Sequence, residues 1–596
     1  DARQAVNLAE AIANSPGVRV SNECSMCGVK RIMLNGMRGE HTSILTDGIP
    51  LHTMLAGYYA VDALATMGVS RIEVARGAGA SLTAPEAIGG TINVISKRPG
   101  ASGLELDISA EHGGDYTLGA FGGLVSDTGG TWASLTLQTD MHDQVDEDDN
   151  RVSEAPRQEN NNLIVRFSHD FGAKSNLLLR AGATRSDIFG GPTVANDIGE
   201  VRAGFDGIES AQLFAQDDVR REFIGKAWET TEWIETKRQE LAAVFLHDFN
   251  QRYNASLSLA RATHNQDSFY EGFDYAAEND MSHLEVRNNY ALNDRHLLTF
   301  GLDRRRETMR SHSVAGAASD NYIEDSFDYS LTGFYVQDTW QASEALELAL
   351  ALRLDKARAD FVAAEKPGTE IADTVLAPRM DLRYLHSDQW TSRLSAGLGY
   401  RAPLSFFETD HGILDAGHGY AIEVDELEAS TSVSYSLSFA GLAFSSTLSL
   451  AYTRVENLAA LGETSAGVPL LTQLEEDARV SAADLALGYA VNSWLRLGLT
   501  LEQYRYDENF EMSYAIAPVE QRVNATVDIE HGFWSFFAGA NWVGGRDLAR
   551  YGYDGFNIAG DAASAKQARV DDYLTLDVRL SYSFSDRISI YAGATN

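Results

Sequence analysis

The chain has 596 residues, a length that points to several domains or to one very large repetitive one. Its formal net charge of −37 excludes nucleic acid as a natural partner, because neutralising phosphates needs a basic surface. No run of about 18 or more apolar residues occurs, which excludes a membrane-spanning helix but not a β-barrel, whose strands are apolar only at every second residue.

A hydrophobic content of 44%, with 10% aromatics, 51 glycines and only 11 prolines, suits many strands and turns. The acidity fits a cation-rich setting or a surface that collects cations. The chain begins at Asp1 without a charged-apolar-small leader, so any signal peptide is expected to have been removed or to lie upstream.

In chain order, Ala5, Leu8, Ala9 and Ile12 predict a helix over Ala5 to Asn14, and Pro16-Gly17 ends it before a strand at Val18 to Val20. Asn22 to Pro50 holds a Cys-x-x-Cys, a short apolar strand broken at Asn35-Gly36, and a second strand ending in the turn Asp47-Gly48-Ile49-Pro50. A second helix is predicted across Ala60 to Met67, then strands at Arg71 to Ala75 and Thr91 to Ser96. The glycines between them lack the Lys-Ser/Thr ending of a phosphate loop.

From about Pro99 the pattern changes to period two. Leu495, Leu497, Leu499 and Leu501 alternate with polar residues, as do Leu574, Leu576, Val578, Leu580, Tyr582 and Phe584. Strands of this length with charged groups on one side suit a wide, water-filled barrel. Asn293-Asp294-Arg295 and Ser585-Asp586-Arg587 read as tight turns, and Met141 to Asn162 and Gly190 to Lys237 as long polar loops.

Four pieces in order, PGVRV (16–20), IMLNGMRG (32–39), ILTDGIP (44–50) and IEVARGAGASLTAPEAIGGTINVISKRP (72–99), resemble the plug domain of TonB-dependent outer-membrane receptors. The resemblance implies a mainly β protein: an α/β plug over 1–98 inside an antiparallel transmembrane barrel over 99–596. Sharing the second region among the family's roughly 22 strands leaves about 23 residues for each strand and its connection. The segment that contacts TonB is expected to precede Asp1, and the last strand to be missing after Asn596. The implied location is the bacterial outer membrane, with the periplasmic TonB complex, outer-membrane lipid and lipopolysaccharide, and a scarce ligand as partners.

Five of the ten methionines (Met26, Met33, Met37, Met54, Met67) and both cysteines (Cys24, Cys27) fall in the first 67 residues, with His41 and His52. Thiolate and thioether sulfur select soft metals such as Cu(I), and imidazole also suits Cu(II) and Zn. Met33 reads as strand core and Met67 as a gap-filler. That leaves Cys24, Met26 and Cys27 as metal-ligand candidates, with Met37, His41, His52 and Met54 behind them. The cysteine pair reads equally as a structural disulfide, since a lone pair in an oxidising compartment often bonds.

Met281 and His283 share the polar parity of a strand that follows a polar stretch at Asn265 to Asp280, so both are expected to point into the lumen near its outer rim. Copper-acquiring members of the family pair a plug cysteine and methionine with a barrel histidine and methionine, and Met281 with His283 is similar to the barrel half. Their plug half is Cys-x-x-x-Met, whereas position 28 here is glycine. Tyr400-Arg401-Ala402-Pro403 resembles a box that opens an external loop in many of these barrels, and His411 and His418 fall where haem receptors place a ligand. The Asn-Pro motif that follows in those receptors is missing.

No nucleophile elbow, HExxH or paired-carboxylate motif occurs, and the chain reads as a non-enzyme with no resident cofactor. The leading expectation is energised import of copper, zinc or a metal chelate. Ferric siderophore, haem and cobalamin are the rival cargoes, and a passive porin, a surface adhesin or a soluble metal-binding β protein the rival classes. A porin would have no need of residues 1–98.

Overall fold

Alternating strands close most of the chain into a wall, and the first hundred residues fold inside it. The computed structural model describes residues 5–24, 28–55, 61–78, 82, 84–147, 149, 151–191, 193, 198–200, 231–270, 273–313, 326–362, 369–404, 421–465, 469–513, 517–551, 556–557, 566–567 and 569–595.

In the inner domain, α1 (Leu8–Ile12) is shorter than the predicted helix. Asn7 caps it by accepting from the Glu10 N–H, while Glu10 reaches back to the Val6 N–H. Strands β1 (Val18–Cys24) and β2 (Val29–Leu34) form an antiparallel hairpin. A second sheet has the order β3 (Thr42–Thr46), β5 (Gly90–Ser96), β4 (Val69–Arg76), with β3 parallel to β5. Leu8, Ile12, Val18, Ile32, Leu34, Ile44 and Ile92 form the core between these pieces.

The helix predicted over Ala60 to Met67 is not formed; 61–67 is a chain of turns and bends. Its backbone groups are used across the domain instead. Leu64 O accepts from Leu8, the Thr66 N–H donates to Val6 O, and the Met67 N–H donates to the side chain of Gln138. Tertiary partners outweigh a modest local preference for helix.

The wall begins at β6 (Gly103–Ala110) and continues through β7 (Tyr116–Val125), β8 (Thr131–His142), β9 (Arg157–Asp170), β10 (Ser175–Gly190), β11 (Glu232–Asn250), β12 (Tyr253–Tyr270), β13 (Phe273–Asn293), β14 (His296–Ser313), β15 (Phe327–Gln341), β16 (Leu346–Phe361), β17 (Glu370–Leu385) and β18 (Trp390–Arg401). Eight further strands follow, the last two being Tyr573–Ser585 and Ile588–Thr595. Among the described residues they make a closed ring of 21 strands, against about 22 expected. The ring closes where Tyr591 donates to Asp107 of β6.

One rim carries tight turns: Asn293 accepts from the N–H groups of Arg295 and His296, and Ser585 from that of Arg587. The other carries the long connections, such as 191–231 and 402–427. Short turns mark the periplasmic rim of such a barrel. Just inside it stands a girdle of rings, including Tyr253 on Tyr290, His296 on Trp340, Trp390 on Phe439 and Trp534 on Tyr582.

Three stretches read as loops lie partly in strands. Asn265 to Asp280 belongs to β12 and β13, Met141 to Asn162 narrows to a connection over 143–156, and Gly190 to Lys237 contains the start of β11 at Glu232. The strands run past the lipid band, where neither face has to be apolar, so the alternation that signals a strand is lost there.

Candidate functional site

The first strand of the β1–β2 hairpin ends at Cys24, the first residue of the cysteine motif. Cys24 ends β1 opposite Val29; the Cys24 side chain and residues 25–27, which include Met26 and Cys27, lie outside the described residues. Gly28 has φ +65°, and a Cβ there would stand 3.0 Å from Pro156 and 3.9 Å from Ile188. The tip therefore leans on the rim that carries the long connections. His411 and His418 also lie outside the described residues.

Met281 and His283 face inward on β13, 1% and 4% exposed. They are not near the outer rim: Met281 is eight residues into a strand that begins at Phe273, about 27 Å along it at roughly 3.4 Å per residue. The expected position fails because the stretch before it is strand. Neither ring nitrogen of His283 has a hydrogen-bond partner among the described residues.

The plug segment 51–55 crosses this part of the wall. Leu51 packs with Ala242 and Ala260, the Met54 N–H donates to Glu307 at 2.7 Å, and the Leu55 N–H donates to Asn279 at 3.2 Å. A cavity of about 140 Å³ remains between plug and wall, its lining including His52, Met54, Glu86, His283, Asp303 and Arg305. Burial first, then the positive fields of Arg238 and Arg180, hold His52 well below the ordinary imidazole value, so it is neutral. His264, next to Arg238 on the wall, is wholly buried, and neither ring nitrogen has a hydrogen-bond partner among the described residues. The sequence reading missed it, although its inward parity on β12 was the available signal. Among the described residues, no three His, Cys, Asp or Glu side chains are grouped so as to hold a metal ion.

Met37 and His41 have other surroundings. Met37 is fully buried in a cluster with Val455, Val480, Tyr504 and Phe510, which makes it a packing contact between plug and wall. His41 contacts Glu428 through Nε2 at 3.2 Å.

Around Glu428 a buried ionic network joins the two domains. Arg401 approaches it at 2.9 Å and Arg38 at 3.4 Å; Arg38 also pairs with Glu40 at 2.6 Å, and Glu40 with Arg31 at 2.7 Å. Burial alone would raise the Glu40 carboxyl, but Arg38 and Arg31 overrule it and hold it below its usual value. A second clamp grips plug residues 82–86: Arg305 and Tyr329 bind the Glu86 carboxylate, and Arg353 donates to Leu82 O at 2.6 Å while paired with Asp303 at 2.7 Å. A third is Arg522, which donates to the carbonyls of Ala13, Ser15 and Val18 and pairs with Glu502 at 2.8 Å. Buried pairs like these add little net stability, but breaking one is expensive, so they fix where the plug sits.

Comparison with known proteins agrees with this architecture. Residues 1–91 match the TonB-dependent Receptor Plug Domain, and residues 189–596 match the TonB dependent receptor-like, beta-barrel family. The vitamin B12 transporter BtuB of Photobacterium profundum is 29% identical over 145 residues, 24% of this chain and 23% of that protein. BtuB of Vibrio vulnificus is 32% identical over 79 residues, 13% of each. These matches span less than a quarter of the curated relatives' length. Among solved structures, the copper transporter OprC superposes with a TM-score of 0.75 at 16% identity, covering 100% of this chain and 91% of that one. The ferric enterobactin receptor PfeA of Pseudomonas aeruginosa superposes at 0.73 and 14% identity, covering 100% and 91%. At such identities the likeness is one of fold. The chain belongs to the TonB-dependent receptor family of the bacterial outer membrane, as a plug held inside a β-barrel.

Proposed function

We propose that the chain takes up a scarce transition metal, copper or zinc, or a metal chelate, and imports it with energy delivered through TonB. The observation that carries this reading is the β1–β2 hairpin, in which the backbone of Cys24 pairs with Val29 and Gly28 sits against Pro156 and Ile188 at the rim with the long connections. Sulfur ligands raised on a plug apex meet an incoming soft cation before any other part of the plug does. Inward displacement of the plug would then have to break the contacts of Glu428, Glu86 and Arg522, and it would open onto the cavity lined by His52, Met54 and His283. A barrel this wide leaks unless it is filled, which is the physical reason for a plug.

The test is elemental analysis of detergent-purified protein, intact and as Cys24→Ser/Cys27→Ser, after growth in media supplemented with copper, zinc or iron. Near-stoichiometric metal in the intact protein, lost from the double variant, is the expected result. Absence of metal from both forms, together with absence of free thiols, would make the pair a disulfide and transfer the search to organic chelates. A corrinoid is the second reading, favoured by the local identity to vitamin B12 transporters.

A further inference from the structure

Strand register leaves a depression in the inner wall where the plug crosses it. On β12 the inward residues Ala260, Ala262 and His264 follow one another at every second position, and all are buried. Across to β13, Ala260 stands opposite His283, Ala262 opposite Met281 and His264 opposite Asn279. Two small side chains in succession leave room for the long ones beside them. His264 lies diagonal to Met281, at the roughly 7–8 Å over which long side chains still meet.

Plug segment 51–55 closes this depression. Leu51 packs on Ala260. The Met54 N–H reaches Glu307, which stands opposite Met281 on β14, and the Leu55 N–H reaches Asn279, opposite His264. His52, between Leu51 and Met54, is carried over the same few wall residues, and its imidazole stands within electrostatic reach of His264.

The side chains that converge there have the character of soft ligands. Nε2 of His52 and both ring nitrogens of His264 are buried and have no hydrogen-bond partner among the described residues. Buried polar atoms are nearly always satisfied, so these call for a partner from outside the chain. The charges around them cancel: Arg180 and Arg238 share Glu240, and Arg305 lies between Glu86 and Glu307. Among the described residues no third His, Cys, Asp or Glu joins the two imidazoles. Zn(II), which takes about four such ligands, is poorly served by that set, whereas thioether with imidazole suits Cu(I). Solvation energy grows as the square of the charge, so burying a divalent ion here costs about four times as much as burying a monovalent one.

We propose that His52, His264 and Met281 form an inner ligand set for Cu(I), on which the ion rests on its way past the plug. Such a site rests on the metal import proposed above and narrows its cargo to the cuprous ion. It is separate from the cysteine motif: Gly28 stands against Pro156 and Ile188, beside the outer ends of β9 and β10, whereas His264 is six residues in from Tyr270 at the outer end of β12. At roughly 3.4 Å per residue that is about 20 Å along the strand. Transfer to it is ligand exchange, with no change of oxidation state, and displacement of segment 51–55 withdraws His52 and so releases the ion.

The test uses the full chain with Cys24→Ser/Cys27→Ser as background, alone and combined with His264→Leu, His264→Met or Met281→Leu. Each protein is loaded with Cu(I) under ascorbate, or with Zn(II), and then challenged with a competing chelator. Folding is read by the compact migration of unheated barrel. The background is expected to keep about one Cu(I) per chain and little zinc, with nitrogen and sulfur both seen around the metal by X-ray absorption. His264→Leu should weaken retention by roughly tenfold or more, His264→Met should restore it by keeping a soft donor, and Met281→Leu should remove the sulfur signal. A folded background without copper would overturn the inner site while leaving metal capture at the cysteines standing. Copper retention unchanged by His264→Leu, or zinc held as tightly as copper, would overturn it as well. Copper held by the background would uphold the inner site even where the cysteines prove to be a disulfide.

Discussion

His41 of the plug and Glu428 of the barrel wall are 387 positions apart in the chain and meet at 3.2 Å, both side chains fully buried. Glu428 also accepts from Arg401 and from the backbone N–H of Ala459 at 2.8 Å, so one carboxylate ties the plug to two parts of the wall. Glu428→Gln keeps the volume and removes the charge, leaving Arg38 and Arg401 without their shared anion. Plug stability is expected to fall by roughly 3–5 kcal/mol, the usual cost of breaking a buried pair from one side. Hydrogen exchange over residues 38–46 reads it, and unchanged protection there would remove Glu428 as the anchor.

His52 makes plug stability depend on pH. Its folded-state pKa is depressed by burial and by Arg238 and Arg180, so it contributes stability that is present above the unfolded value of about 6.5 and lost as pH falls below it. Each unit of pH below about 6 is expected to cost about 1.4 kcal/mol, because only the unfolded chain takes up the proton. Denaturation midpoints at pH 7.5 and 5.5, compared between the intact protein and His52→Gln, isolate this slope from those of other groups. Parallel pH profiles for the two would show that the imidazole titrates normally.

Arg522 donates to three plug carbonyls at once, so Arg522→Gln removes those bonds and the ion pair with Glu502, while Ser15 O keeps the Val18 N–H and Glu502 keeps the Gly17 N–H. A local loss of roughly 1–3 kcal/mol is expected from each charge-assisted bond removed. Faster exchange should appear at residues 13–18 and not in β3 or β5. Uniform loosening of the whole plug would contradict a local clamp.

Gly36→Ala separates backbone strain from crowding. Gly36 has φ +79°, and a Cβ there would stand 2.8 Å from the Tyr504 ring. Gly48 has the same φ with nothing within 4 Å. Gly48→Ala is expected to cost about 1–2 kcal/mol from the left-handed backbone alone, and Gly36→Ala about 1–3 kcal/mol more from overpacking. Equal losses in thermal unfolding would mean that Tyr504 moves aside freely.

Much of the fold was legible because it is written locally. The run through Leu495, Leu497, Leu499 and Leu501 shows a strand from period-two alternation, and Asn35-Gly36 and Asp47-Gly48 mark turns because positive φ suits those residues. Met281 and His283 faced inward for the same reason, parity being a property of the strand itself. Their depth was not legible, since the alternation that would have extended β13 back to Phe273 disappears where the wall leaves the lipid. Likewise nothing in Ala60 to Met67 records that Val6 and Leu8 would take up its backbone groups.

By itself the sequence determined the family, the plug ahead of the barrel and the alternation of the wall, because motif order, turn chemistry and side-chain parity are short-range properties. Only the tertiary structure decided which charges meet. Glu428 with His41 and Arg38, Glu86 with Arg305, and Arg522 with Val18 are separated by hundreds of residues. An acidic residue in a strand looks the same in sequence whether it faces solvent, lipid headgroups or a plug guanidinium. The partner is set by the register of 21 strands and by the seating of a separate domain within them.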